Sequence, residues 1–173
     1  MSKVIELDEE TLKNEEDSNM GSWAHSSIQA ALACLLRTDG RFNVLTELNL
    51  DVSQVDLTQF GIHKNEIKPD VCLYAKKKRV EPTRDLIRML EYPLTAIEIL
   101  SPKQNISELS AKLNAYFALG VKSYWLVLPM NESITVYSSP TQFELFGPKE
   151  SEVIDEVIDI RLPIKEIFDL YLD

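Results

Sequence analysis

The segment 94–129, LTAIEILSPKQNISELSAKLNAYFALGVKSYWLVLP, limits the fold more than any other part of this chain. Thr95–Leu100 is an apolar run entered from Pro93 and closed by Ser101-Pro102, the pattern of a strand covered on both faces. Its one charge is Glu98, and a carboxylate in a buried strand is costly unless it is paired or meets a cation. Glu98 therefore either ends the sheet facing solvent or belongs to a site. Asn105 and Glu108 have capping-box spacing. Leu109, Leu113, Tyr116 and Phe117 form one helical stripe, and Gly120 stands where a left-handed C-cap is wanted. Lys112, one turn before Tyr116, borders the stripe, so its ammonium can curl back toward the preceding strand. Ser123–Leu128 is the next strand. The unit predicts two parallel strands joined by a right-handed helical crossover.

The remaining elements arrange themselves around this unit. Ser22 reads as the N-cap of a helix whose stripe is Ile28, Leu32, Leu35 and Leu36, ending before Asp39-Gly40, with His25 at the edge of the stripe. Phe42–Leu50 reads as a strand that carries Glu47. Asp51–His63 is a polar connection, and Ile67–Tyr74 is a second strand in which Asp70, Cys72 and Tyr74 share a face. Lys76-Lys77-Lys78-Arg79 is a candidate hairpin tip, and Arg84–Glu91 a short helix or an irregular link. After the turn at Pro129–Glu132, Ser133–Ser138, Gln142–Phe146 and Val157–Ile160 are strand candidates. Pro163 opens a last helix with Ile164, Ile167, Phe168 and Tyr171 at helical spacing. The order predicts an α/β (α+β) domain over 22–173, with a mixed central sheet flanked by helices, preceded by an acidic leader over 1–21.

At 173 residues the chain suits one domain with a sizeable core. No apolar run approaches membrane-span length, and MSKVIELDEE has the wrong charges for a signal peptide. Cys34 and Cys72 lie in apolar segments without metal-ligand spacing, as expected of buried thiols in a cytoplasmic protein. The net charge of −10 argues against a basic nucleic-acid face. The acidity is concentrated at the ends, however: residues 1–17 carry −5, residues 150–173 carry −6, and residues 18–149 carry +1.

EILSP at Glu98–Pro102, Lys112-xxx-Tyr116, GVxxYWLV at Gly120–Val127 and the upstream Pro69-Asp70 together resemble the Uma-type family of putative restriction endonucleases, within the PD-(D/E)xK nuclease superfamily. The resemblance extends from about His25 to the C-terminus. It implies a restriction-endonuclease-like fold and a Mg²⁺- or Mn²⁺-dependent endonuclease acting on DNA. In that scheme Asp70, Glu98 and the Ile99 carbonyl hold the metal, and Lys112 assists the attacking water. In the superfamily the lysine stands two residues after the strand acid. Here Leu100 holds that position, on the same face as Glu98, so the lysine must come from the helix. The family also carries a histidine near the start of the first helix, where this chain has His25.

The residue types suit the chemistry. Phosphodiester hydrolysis needs an activated water and stabilised oxyanions, and a hard cation held by carboxylates serves both. Two carboxylates brought together also repel, so one of them should bind its proton more tightly than usual. Glu47 and His25 are additional candidates. Each residue has an ordinary reading as well: Asp70 as a strand-start acid, Glu98 and Lys112 as a buried ion pair, His25 as a loop-bonded imidazole, Glu47 as an edge charge. Three functions follow: a DNA endonuclease, a catalytically idle nuclease-fold module engaged in self-association or protein binding, or a hydrolase of small phosphoesters. A homodimer is expected, with the hairpin Ser123–Ser138 and its Trp125 offered as the exposed surface.

Overall fold

The structure, a computed structural model, describes residues 21–76, 85–102 and 104–170. Nearly all of the 1–21 leader, Lys77, Lys78 and Arg79 of the basic cluster, Arg84 and Tyr171 lie outside the described residues. A six-stranded mixed sheet forms the centre, in the order β1-β4-β5-β6-β7-β8. These strands are β1 (Phe42–Thr46), β4 (Val71–Ala75), β5 (Thr95–Ile99), β6 (Ser123–Leu128), β7 (Ser133–Ser139) and β8 (Gln142–Phe146). Two short antiparallel pairs flank it, β2 (Leu50–Asp51) with β3 (Glu66–Ile67) and β9 (Glu152–Asp155) with β10 (Ile160–Pro163). The helices are α1 (Trp23–Thr38), α2 (Ile106–Ala118) and the one-turn α3 (Ile164–Ile167).

The crossover segment forms as its pattern dictates. Every residue of β5 is buried, and β5 pairs parallel with β6. The Asn105 side chain accepts from the Glu108 N–H at 2.9 Å and caps α2, and Gly120 has φ +95 just beyond the helix. A side chain at Gly120 would strain that left-handed backbone. Side chains alternate across the sheet into two cores. On one face Ile28, Leu32 and Leu36 of α1 pack with Val71, Leu73, Ile97, Ile99 and Trp125, together with β9, β10 and α3. On the other, Leu113 and Tyr116 of α2 pack with Ala96, Tyr124, Leu50 and Ile67.

Several expectations are corrected. The strand expected over Phe42–Leu50 stops at Thr46, because Glu47 turns into the left-handed region (φ 55) and ends the ladder. Ile67–Tyr74 is two strands, separated by Lys68, Pro69 and Asp70. Of the strand placed at Val157–Ile160, Val157, Ile158 and Asp159 (φ 53) lie instead in the turn between β9 and β10, and Ile160 opens β10. The chain writes Val-Ile-Asp twice, at 153–155 and 157–159, and alternation alone does not say which copy is the strand. The described part of 84–91 is an irregular link that touches Leu50 through a bridge at Met89. The last helix spans only four residues. Cys72 is buried as expected, whereas Cys34 is exposed on the outer side of α1. Trp125 is fully buried, and β6 and β7 lie inside the sheet, so the expected exposed hairpin surface does not exist.

Candidate active site

The candidate site forms where β5 outruns β4. The antiparallel register sets Val71 opposite Ile97, which brings Asp70, just before β4, beside Glu98. Pro69 stops the ladder, and the Asp70 side chain takes over its work: Oδ2 accepts the Ile99 N–H at 2.7 Å. Asp70 and Glu98 share the sheet face that α2 covers. Glu98 is 1% exposed and fully engaged. Its Oε2 takes a bond from Lys112 Nζ at 2.9 Å, and its Oε1 accepts from the Tyr116 hydroxyl at 2.8 Å. Lys112 and Tyr116 are one turn apart on α2 and therefore project from one face. The Lys112 stem lies along packed surface and brings the ammonium over the end of β5.

α1 closes the site from the other side. Ser22 caps its first turn by accepting the His25 N–H at 3.2 Å. That turn sets His25 Nε2 3.2 Å from Asp70 Oδ1. One turn later, Gln29 Nε2 donates to the Asp70 carbonyl at 2.8 Å and to Glu47 Oε1 at 3.1 Å. The Glu47 N–H reaches the same carbonyl at 3.3 Å, and Lys68 Nζ binds Glu47 Oε2 at 2.8 Å. Asp70, Glu98, Lys112 and His25 therefore converge. Glu47 stands behind them, held to Gln29 and Lys68.

Burial pushes the Glu98 carboxyl up to about 7; the Lys112 ammonium opposes this, and the Asp70 charge adds to it. Repulsion between the two acids is thus present but secondary to desolvation. Burial works against the Lys112 ammonium, yet the Glu98 carboxylate outweighs it and holds the lysine above its ordinary value. The bond to Asp70 raises His25, against the effect of burial. Tyr116, buried against Glu98, keeps its proton far above the usual phenol range. Glu98, although a carboxyl, therefore titrates near neutrality.

These groups form the floor of a cleft of about 1010 Å³. Phe60, Ile62, His63 and Lys64 line it, as do Ser101, Gln104, Ser107 and Glu108 at and just before the start of α2. Among the described residues, no three His, Cys, Asp or Glu side chains are grouped to hold a metal ion. The donor set on offer is two carboxylates with backbone oxygen and water. Such a set suits Mg²⁺, which keeps several waters and takes one or two carboxylates.

Sequence reasoning missed Gln29, Lys68 and the 60–64 wall. Gln29 lies four residues after His25 on α1, the only signal it gave. Tyr116 was legible as a motif residue, but its bond to Glu98 was not.

The mixed sheet, with a carboxylate and lysine cleft at the end of β5, defines a restriction-endonuclease-like α+β fold. It is shared with a crystal structure described as a "putative nuclease" from Anabaena variabilis, at TM-score 0.66 and 21% identity, over 87% of this chain and 83% of that one. At that identity the likeness is one of fold. The chain belongs to the Uma2 family, described as "Putative restriction endonuclease", whose family model matches residues 5–165. The match begins upstream of His25, within the stretch set apart as a leader. No curated protein sequence matches the chain. Among the described residues, no helix is long and apolar enough to cross a membrane.

Proposed function

We propose that this protein is a metal-dependent endonuclease that hydrolyses phosphodiester bonds of DNA. In this reading Asp70, Glu98 and the Ile99 carbonyl hold Mg²⁺ or Mn²⁺. The observation that carries it is the meeting of Asp70, Glu98 and Lys112 at one cleft floor, from the link before β4, from β5 and from α2. When bound, such an ion supplies Lewis acidity toward a phosphoryl oxygen and a more acidic water. The chain's own residues do the rest. Lys112 brings a permanent cation to the place left apolar by Leu100, where it orients the attacking water and balances the charge that develops on the phosphate. Tyr116 holds one oxygen of Glu98 and so fixes the carboxylate plane. His25 and the Ile99 N–H fix both oxygens of Asp70. Glu47 remains a candidate for a further contact with the ion. The same reading takes the protein as a cytoplasmic homodimer, and light scattering at micromolar concentration tests the mass.

The test is nicking of supercoiled DNA together with thermal melting, with and without millimolar Mg²⁺ or Mn²⁺. Wild type should nick and gain stability from the metal. Asp70→Asn and Glu98→Gln should lose both effects. Lys112→Ala should keep the metal-induced rise in Tm and lose nicking. Wild type that neither nicks nor responds to metal would end this reading. A second reading then takes over, a catalytically idle module engaged in self-association or protein binding. It is favoured by the satisfaction of both Glu98 oxygens within the chain and by the net charge of −10.

A further inference from the structure

The cleft has a shape and a lining that the proposed chemistry does not use. Its floor is recessed: the side chains of Glu98, Asp70 and Lys112 are 2%, 16% and 27% exposed. The segment 60–64 and the start of α2 line the same cleft. Phe60 is half-buried against the second core and lines the cleft, next to the exposed His63 and Lys64. Among the described residues, cations at the cleft are few. Lys112, Lys68 and His25 are engaged with Glu98, Glu47 and Asp70, whereas among the described residues Lys64 has no carboxylate partner.

Duplex DNA is stiff over about 150 bp and presents its phosphates on a rigid convex surface. Its affinity for proteins comes mainly from many cation–phosphate contacts. A recessed floor and, among the described residues, a single unpaired lysine serve neither requirement. A single strand differs on both counts: its phosphate can bend into a recess, and its bases can stack on aromatic rings without a sequence requirement.

We infer that the cleft takes a short single-stranded segment of DNA, free or as a flap, with Phe60 and His63 as the stacking platform and Lys64 as the phosphate contact beside them. This rests on the proposed nuclease reading for its chemistry, but not for its binding test. Lys64, Asp70, Glu98 and Lys112 line one cleft, so a strand held at 60–64 shares it with the catalytic cluster, and the wall that the catalytic scheme leaves idle selects the substrate.

Binding and cleavage are measured separately, on the full chain. Fluorescence anisotropy without metal compares a labelled single-stranded 12-mer, the same sequence as a duplex, and the duplex with a 5′ flap. The single strand and the flap should bind at least about tenfold more tightly than the duplex, by the worth of one or two stacked bases. The salt dependence should be shallow, a log–log slope of about −1 to −2, because only one to three phosphates are neutralised at about −0.7 each. Phe60→Leu keeps the apolar packing and removes the ring, and should weaken single-strand binding about tenfold. Lys64→Ala should flatten the salt slope. Equal or tighter binding of the duplex, no binding of the single strand, or full affinity in Phe60→Leu would overturn the inference. Single-strand binding without cleavage in Mg²⁺ would support the inference and overturn the nuclease chemistry; duplex nicking with duplex-preferring binding would do the reverse.

Discussion

Replacing Lys112 with methionine keeps most of the packed stem and deletes the ammonium that faces Glu98. The cost depends on which proton state Glu98 adopts. In the wild type its carboxyl is raised from 4.5 to about 7, chiefly by burial. The folded state therefore binds a proton more tightly than the unfolded chain, and stability falls as pH rises from about 4.5 to about 7. At about 1.4 kcal/mol per pH unit, that rise already costs the wild type about 3 kcal/mol above neutrality. In Lys112→Met the opposing attraction is gone and the carboxyl moves higher still. Removing one partner of a buried pair costs about 3–5 kcal/mol where the other must stay charged. The variant should therefore lose about 3 kcal/mol relative to wild type at pH 8.5, and less than about 1 kcal/mol at pH 5.5, where Glu98 is neutral in both. Urea unfolding followed by tryptophan fluorescence reads this directly, since Trp125 is fully buried in the central sheet. A loss of equal size at both pH values, or no loss at pH 8.5, would show that Glu98 is not the buried titrating group described above.

Three further outcomes are expected. The His25 imidazole, raised through its bond to Asp70, should titrate above 6.5 by NMR and fall toward that value in Asp70→Asn; a wild-type midpoint below 6.5 would count against the contact. The pair's contribution to stability is present in full below 6.5 and fades as pH rises through the folded His25 value, so Asp70→Asn should cost more at pH 6 than at pH 8.5. Asp155, fully buried, accepts from Ser123, from Trp125 Nε1 at 2.7 Å, and from the Val157 and Ile158 N–H groups, so Asp155→Ala strands several donors and should cost about 2–4 kcal/mol by urea unfolding, with a shifted Trp125 emission. A variant as stable as wild type would refute that accounting.

The sequence by itself determined the crossover unit, because each of its signals is local. The apolar run of β5, the Asn105 and Glu108 cap, the stripe of α2 and the glycine after it lie within a few residues of one another. Asp70, Glu98 and Lys112 were grouped by the motifs that carry the family resemblance rather than by strand pattern, whereas Lys112 and Tyr116 share a face by helical period alone. The sequence failed where two local readings tie. The Val-Ile-Asp repeat offered two equal strands, and the packing of Val153 and the capture of Asp155 by Trp125 and Ser123 chose the first. Glu47 carries no glycine or proline to announce its left-handed turn; the pull of Gln29, Lys68 and the Asp70 carbonyl fixes it. Trp125 looked available because a six-residue strand does not reveal its neighbours, and only the sheet order covers it. The proton affinity of Glu98 was likewise outside the reach of the sequence. Repulsion between acids can be argued from spacing, but the larger cause is burial beneath α2, and burial is a property of the whole packed molecule.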